Sequence, residues 1–110
     1  MEIGVDITAV SRFLGKADKL AERILTATER EMFAATGACG AAEFVAKRWA
    51  AKEAVYKVTQ DRKYLRYSVS ERDGEYFVDG RPDIKLSVCC DGDTVIAVAL
   101  KRIIYRENIS

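Results

Sequence analysis

The chain has 110 residues, 49% of them hydrophobic and 32% charged, which is a folded rather than a disordered composition and the length of one domain over residues 1–110. Lys plus Arg is 18 against 17 Asp plus Glu, a formal charge of +1, so nothing resembles a nucleic-acid-binding tail or block. No apolar run approaches the roughly 18 residues of a membrane span, and the start, Met1 to Asp6, lacks the basic-then-apolar pattern of a secretion signal.

Cys39, Cys89 and Cys90 are odd in number and include an adjacent pair, which does not read as a disulfide framework. A reducing, cytoplasmic setting is expected. There is no histidine, which removes His-based triads, imidazole acid–base chemistry and His-ligated zinc. An enzyme of this composition works with carboxylates, lysines, hydroxyls or a metal.

Residues 2–8 alternate, with Ile3, Val5 and Ile7 on one face and Gly4, Asp6 and Thr8 on the other. This predicts a short strand with one apolar face and an accessible carboxylate at Asp6. Helical periodicity over residues 9–25 gathers Val10, Phe13, Leu14, Ala17, Leu20, Ala21, Ile24 and Leu25 on one face. The opposite side of that predicted helix carries Arg12, Lys16, Lys19 and Arg23 as a basic ridge. A second helix starts at Thr26 or Thr28, since both fit capping-box spacing, and runs to about Ala35, after which Gly37 and Gly40 interrupt the pattern.

Residues 41–58 predict a third helix, apolar on most sides and therefore central and buried. Glu53 stands on it among Ala46, Trp49, Ala50 and Lys57, where a carboxylate is seldom left without a partner. Strands follow at 63–70 and 75–79 around Arg72-Asp73-Gly74, and at 84–90 and 94–105 around Asp91-Gly92-Asp93. The order is α+β: an antiparallel sheet packed against a long central helix.

Three groups of residues invite a chemical reading. Glu53 and Lys57 are four apart, ordinarily an i,i+4 ion pair. With Asp6 from a separate strand, the two carboxylates have the character of a Mg²⁺ site, and the lysine suits the charge of a phosphate transition state. The ridge of Arg12, Lys16, Lys19 and Arg23 is either an ordinary solvated face or a docking surface for an acidic partner. Cys89-Cys90 reads as two small buried hydrophobes. No Walker A or GxGxxG loop is present, so a phosphorylated cofactor would be held by a metal and basic side chains.

Two segments carry a family resemblance. Ile3-Gly4-Val5-Asp6-Ile7 through Arg12-Phe13 resembles the opening signature of holo-acyl-carrier-protein synthase, a 4′-phosphopantetheinyl transferase. Arg48-Trp49-Ala50-Ala51-Lys52-Glu53-Ala54-Val55-Tyr56-Lys57 resembles its central helix motif, in the same order and at a fitting separation. Thr26 to Glu29 and the closing hairpin around Asp91-Gly92 are similar to the family as well, so the likeness spans nearly the whole chain.

The resemblance implies a 4′-phosphopantetheinyl transferase-like fold that moves the phosphopantetheine arm of coenzyme A onto a serine of an apo acyl-carrier protein, releasing adenosine 3′,5′-bisphosphate. It implies Asp6 and Glu53 as Mg²⁺ ligands, Glu53 as a group that helps take the serine proton directly or through metal-bound water, and Lys57 as the group that stabilises or protonates the leaving phosphate. Arg48 and Lys52 become candidates for phosphate contact. Arg12 falls where the first helix of the family docks the acidic carrier, and helical geometry extends that face to Lys16, Lys19 and Arg23. A homotrimer with the site between neighbours is also implied. The sequence departs from the family at residues 58–63, which lack the usual glycine, and at Cys90, where a histidine often stands. These departures leave open a non-catalytic carrier-binding or assembly module on the same fold.

Overall fold

Gly4 determines how the molecule is assembled. In the computed structural model, which describes residues 2–103, strand β1 (Glu2–Ala9) lies directly against helix α3 (Gly37–Thr59). A Cβ at position 4 would overlap the carbonyl oxygen of Ala54 and stand 3.0 Å from Cβ of Lys57. Only glycine permits this approach.

The strands β1, β2 (Val69–Arg72), β3 (Glu75–Val78), β4 (Ile84–Asp91) and β5 (Thr94–Lys101) form one antiparallel sheet in the order β1-β5-β4-β3-β2. Small or β-branched side chains on its inner face, among them Val95, Ala97 and Ala99, pack against Ala50, Ala51 and Ala54 of α3. Alanine on both sides brings helix and sheet close, which makes α3 the central buried helix its composition predicts. The observed architecture is the expected α+β one.

Several local expectations change. The predicted strand face of Ile3, Val5 and Ile7 does not enter the core. These side chains are 64%, 43% and 64% exposed, and Gly4 and Thr8 on the opposite face are buried. The alternation holds but the inward side is the small and polar one, because α3 leaves no room for large side chains there.

The predicted helix over 9–25 is broken. It begins with a 3₁₀ turn (Val10–Phe13), becomes extended at Leu14, turns at Gly15 with φ +73° and resumes as α1 (Ala17–Ile24). Asp93 in the β4–β5 turn anchors the start of the 3₁₀ turn, its carboxylate accepting from the Ser11 amide at 2.8 Å and from the Ser11 hydroxyl at 2.7 Å. Phe13, Ala17, Ala21 and Ile24 remain buried, while Leu14 is exposed, so the periodicity described the burial but not the continuity of the helix. A positive φ is open to glycine and costly for other residues.

Helix α2 (Ala27–Ala35) takes its cap from Thr26, in a closed capping box with Glu29. The central helix starts at Gly37 rather than residue 41, since Gly37 at φ +70° makes the corner between α2 and α3 and Gly40 is tolerated inside the first turn. The predicted strand over 63–70 is instead a 3₁₀ turn (Tyr64–Arg66) leading into β2. Both hairpin turns form, with Asp73 at φ 52°, Gly74 at φ 82° and Gly92 at φ 60°. The end of the strand expected to reach residue 105 lies outside the described residues.

Candidate active site

The close approach of β1 and α3 brings Asp6, Glu53 and Lys57 together. Lys57 does not pair with Glu53 one helical turn away. Its ammonium reaches across to β1, donating to the Val5 carbonyl and standing 3.5 Å from Oδ1 of Asp6. Burial pushes the Asp6 carboxyl above its ordinary value of 3.8 and the Glu53 charge pushes the same way, while Lys57 and Arg12 act against them. Glu53 is half-buried and belongs to no ion pair among the described residues.

Two carboxylates on different rigid elements, repelling each other and only partly balanced by Lys57 and Arg12, form a hard oxygen donor set. That set fits Mg²⁺, which needs few protein ligands and keeps the rest of its octahedron for water and phosphate. Among the described residues there is no cluster of three or more Asp, Glu, Cys or His that would suggest a metal held wholly by protein.

Tyr64 closes one side of this group. Its hydroxyl is buried without a hydrogen-bond partner. Desolvation, and after it the Glu53 charge, raises the phenol far above the usual tyrosine value. Its ring stands edge-on to Trp49 at 6.4 Å between centroids.

Arg48 and Lys52 have a different position from the one expected. They are 2% and 0% exposed, enclosed between α3 and the elements beside it. The Lys52 ammonium donates to Oε1 of Glu29 at 2.7 Å and to the carbonyls of Ile24, Tyr64 and Tyr67 at 2.6, 2.7 and 3.0 Å. Arg48 faces Oε2 of Glu29 at 3.8 Å and lies over the Phe44 ring at 4.4 Å. Desolvation lowers the Lys52 pKa, and Glu29 opposes that shift. With four acceptors around one ammonium there is no donor left for a phosphate. Lys52 is an internal tie, and Arg48 is buried beside Glu29 with its Nε lacking a hydrogen-bond partner among the described residues, so neither presents the exposed cation expected for a phosphate contact. Glu29 was readable only as a cap. Its second task, accepting from Lys52 and from the Val69 amide at 2.9 Å, depends on tertiary packing.

The basic ridge also changes form. Arg12 lies on the 3₁₀ turn, donating to the Thr8 hydroxyl at 3.0 Å, and Lys16 is the residue before α1. Lys19 and Arg23 remain one turn apart on α1. All four are exposed, but the single helix that related Arg12 to the others is absent. Nor are the paired thiols buried hydrophobes: Cys89 is exposed, and half-buried Cys90 contacts a Glu43 carboxylate oxygen and the Gly92 carbonyl, both at 3.5 Å. Burial, then Glu43, raises the Cys90 pKa.

The concavity between Ala17, Phe33 and Ala41, like the one over Tyr76, Ile84 and Leu86, lies away from Asp6, Glu53 and Lys57. The cluster faces solvent on a shallow surface, with the Lys57 side chain 45% exposed.

The fold and site define the class of protein: a small antiparallel sheet crossed by one long helix, with an acidic pair and a lysine at their junction. The chain belongs to the 4′-phosphopantetheinyl transferase superfamily, whose model matches residues 2–98. It is 36% identical over 102 residues to the holo-[acyl-carrier-protein] synthase of Mycoplasma mobile, covering 91% of this chain and 88% of that protein. It is 34% identical over 100 residues to that of Mycoplasmopsis pulmonis, covering 90% and 88%. Its fold matches the holo-(acyl-carrier-protein) synthase of Bacillus anthracis, solved in complex with CoA (3′,5′-ADP), with a TM-score of 0.77 and 30% identity over 88% of this chain and 91% of that one. No helix among the described residues is long and apolar enough to cross a membrane.

Proposed function

We propose that this protein transfers 4′-phosphopantetheine from coenzyme A to a serine of an apo acyl-carrier protein, with Mg²⁺ as cofactor and adenosine 3′,5′-bisphosphate as the second product. The observation that carries this reading is the convergence of Asp6, Glu53 and Lys57 where Gly4 lets β1 meet α3. The names of the curated relatives and the coenzyme A complex of the Bacillus anthracis protein support the substrates.

In this reading Asp6 and Glu53 would hold the metal. A bound Mg²⁺ would supply charge neutralisation at the pyrophosphate. The serine hydroxyl attacks the phosphorus next to pantetheine, and the bond from that phosphorus to the bridging oxygen breaks. Glu53 accepts the serine proton. Lys57, positioned by Val5 and Asp6, stabilises the negative charge left on the departing phosphate. Arg12, with Lys16, Lys19 and Arg23 beyond it, offers exposed positive charge to an acidic carrier.

We further infer that the protein works as a homotrimer in a reducing cytoplasm. The outer face of the sheet supports association: Ile3, Val5 and Ile7 stand directly across from Leu100, Val98 and Ile96 and form one apolar surface open to solvent. Such a surface marks an interaction site, and a second and third copy would supply the walls that the shallow cluster lacks. The cysteines of the described chain are free.

The test is the mass of apo acyl-carrier protein after incubation with this protein, coenzyme A and Mg²⁺. A gain of one phosphopantetheine is expected with the wild type and none with Asp6→Ala or Glu53→Ala. Full transfer by both variants would overturn the site.

A further inference from the structure

With Arg48 and Lys52 enclosed, the site needs another cation for a phosphorylated donor. Glu53, Tyr56 and Lys57 are at i, i+3 and i+4, so they share one face of α3. Just beyond the helix the chain folds back over that face. Gln60 adopts the left-handed conformation at φ 62° and its amide donates to the Tyr56 carbonyl at 2.7 Å. The Asp61 amide donates to the Thr59 hydroxyl at 3.2 Å, and the Asp61 carboxylate accepts from the Lys63 amide at 2.8 Å. This turn sets the Arg62 guanidinium 3.9 Å from the centre of the Tyr56 ring.

Arg62 is exposed and forms no ion pair among the described residues. The carboxylate next to it in sequence, Asp61, is occupied with the turn. Tyr56, on which Arg62 rests, follows Glu53 by three residues on α3, which sets the guanidinium beside the face that carries the acidic residue. Lys57, held by Asp6 and Val5, supplies one cation at this site. A pyrophosphate needs more than one cation, and a guanidinium resting over an aromatic ring offers its planar fork with little conformational freedom to lose.

We propose that Arg62 is a phosphate-binding residue of this site, contacting the pyrophosphate of the coenzyme A donor from its platform on Tyr56. The assignment rests on the transferase reading above. It gives the glycine-free stretch at residues 58–63 a purpose: a side-chain cation supported by the helix it follows.

The test is calorimetric titration of coenzyme A, with Mg²⁺ present, into the full chain and into Arg62→Ala and Arg62→Lys. Loss of a charge-assisted phosphate contact is expected to weaken coenzyme A binding about tenfold in Arg62→Ala, with a smaller loss in Arg62→Lys, which keeps the charge but not the stack. In the transfer assay the Arg62→Ala change should appear in KM for coenzyme A, with kcat nearly unchanged and the thermal midpoint unmoved. Coenzyme A binding by Arg62→Ala equal to that of the wild type would overturn the assignment and leave the transferase reading standing. Failure of the wild type itself to bind coenzyme A would overturn both.

Discussion

Asp6 is placed at a disadvantage for the sake of the site. Its carboxyl is raised by burial and by the Glu53 charge beside it, with Lys57 giving only partial relief. A carboxyl raised in the folded state favours its protonated form, so the metal-free fold loses stability as pH rises through the folded pKa of Asp6. Asp6→Asn should therefore raise the thermal midpoint at neutral pH without Mg²⁺, while abolishing the rise that Mg²⁺ gives the wild type. Mg²⁺ binding should fail on acidification at a higher pH than an ordinary aspartate would allow. A lower midpoint for Asp6→Asn in Mg²⁺-free buffer would show that the carboxylate is a structural anchor. The same scale holds what was least legible in the sequence. Asp6, Glu53 and Lys57 could be picked out because a carboxylate on an apolar helix and another beside a glycine are unusual. Arg48 and Lys52 lie on the same motif, yet their partners come from Ile24, Glu29, Tyr64 and Tyr67, up to 28 residues away, and no local spacing encodes that. Arg62 became visible only through the left-handed turn at Gln60.

At the scale of elements, the site exists because β1 and α3 are in contact at Gly4. Gly4→Ala would press a methyl into the Ala54 carbonyl and force the strand off the helix. Overpacking of this kind costs about 1–3 kcal/mol, and chemical denaturation should show a loss of that order. Transfer should fall further than stability alone explains, since Asp6 moves away from Glu53. Stability and transfer equal to those of the wild type would contradict the close approach. Periodicity recovered α2, α3, both hairpins and the alternation of β1, because those patterns are local. It failed where a distant residue intervened: Asp93 from the last turn pins the start of the 3₁₀ turn at Ser11, and Lys52 draws residues 64–67 out of the strand they resemble. It also misjudged which face of β1 is inward, because alternation fixes two faces and only packing chooses between them.

For the molecule as a whole, a chain of 110 residues presents its acidic pair on a shallow surface and an apolar strip on its sheet. Association would resolve both. Val5→Lys, at the centre of that strip, should leave the secondary structure intact and shift the sedimentation of the protein from trimer toward monomer, with loss of transfer. A wild type that sediments as a fully active monomer would contradict the trimer and leave Asp6 and Glu53 as a site complete in one chain. The family membership and the fold establish a phosphopantetheinyl transferase scaffold. Whether this chain performs the transfer through its own acidic pair is tested most directly by following both products at once. With wild-type protein, coenzyme A, Mg²⁺ and apo acyl-carrier protein, modified carrier and adenosine 3′,5′-bisphosphate should appear in equal amounts, and both should vanish on chelation of the metal or in Glu53→Ala. Carrier binding without either product, or equal product formation in the presence of chelator, would contradict the account.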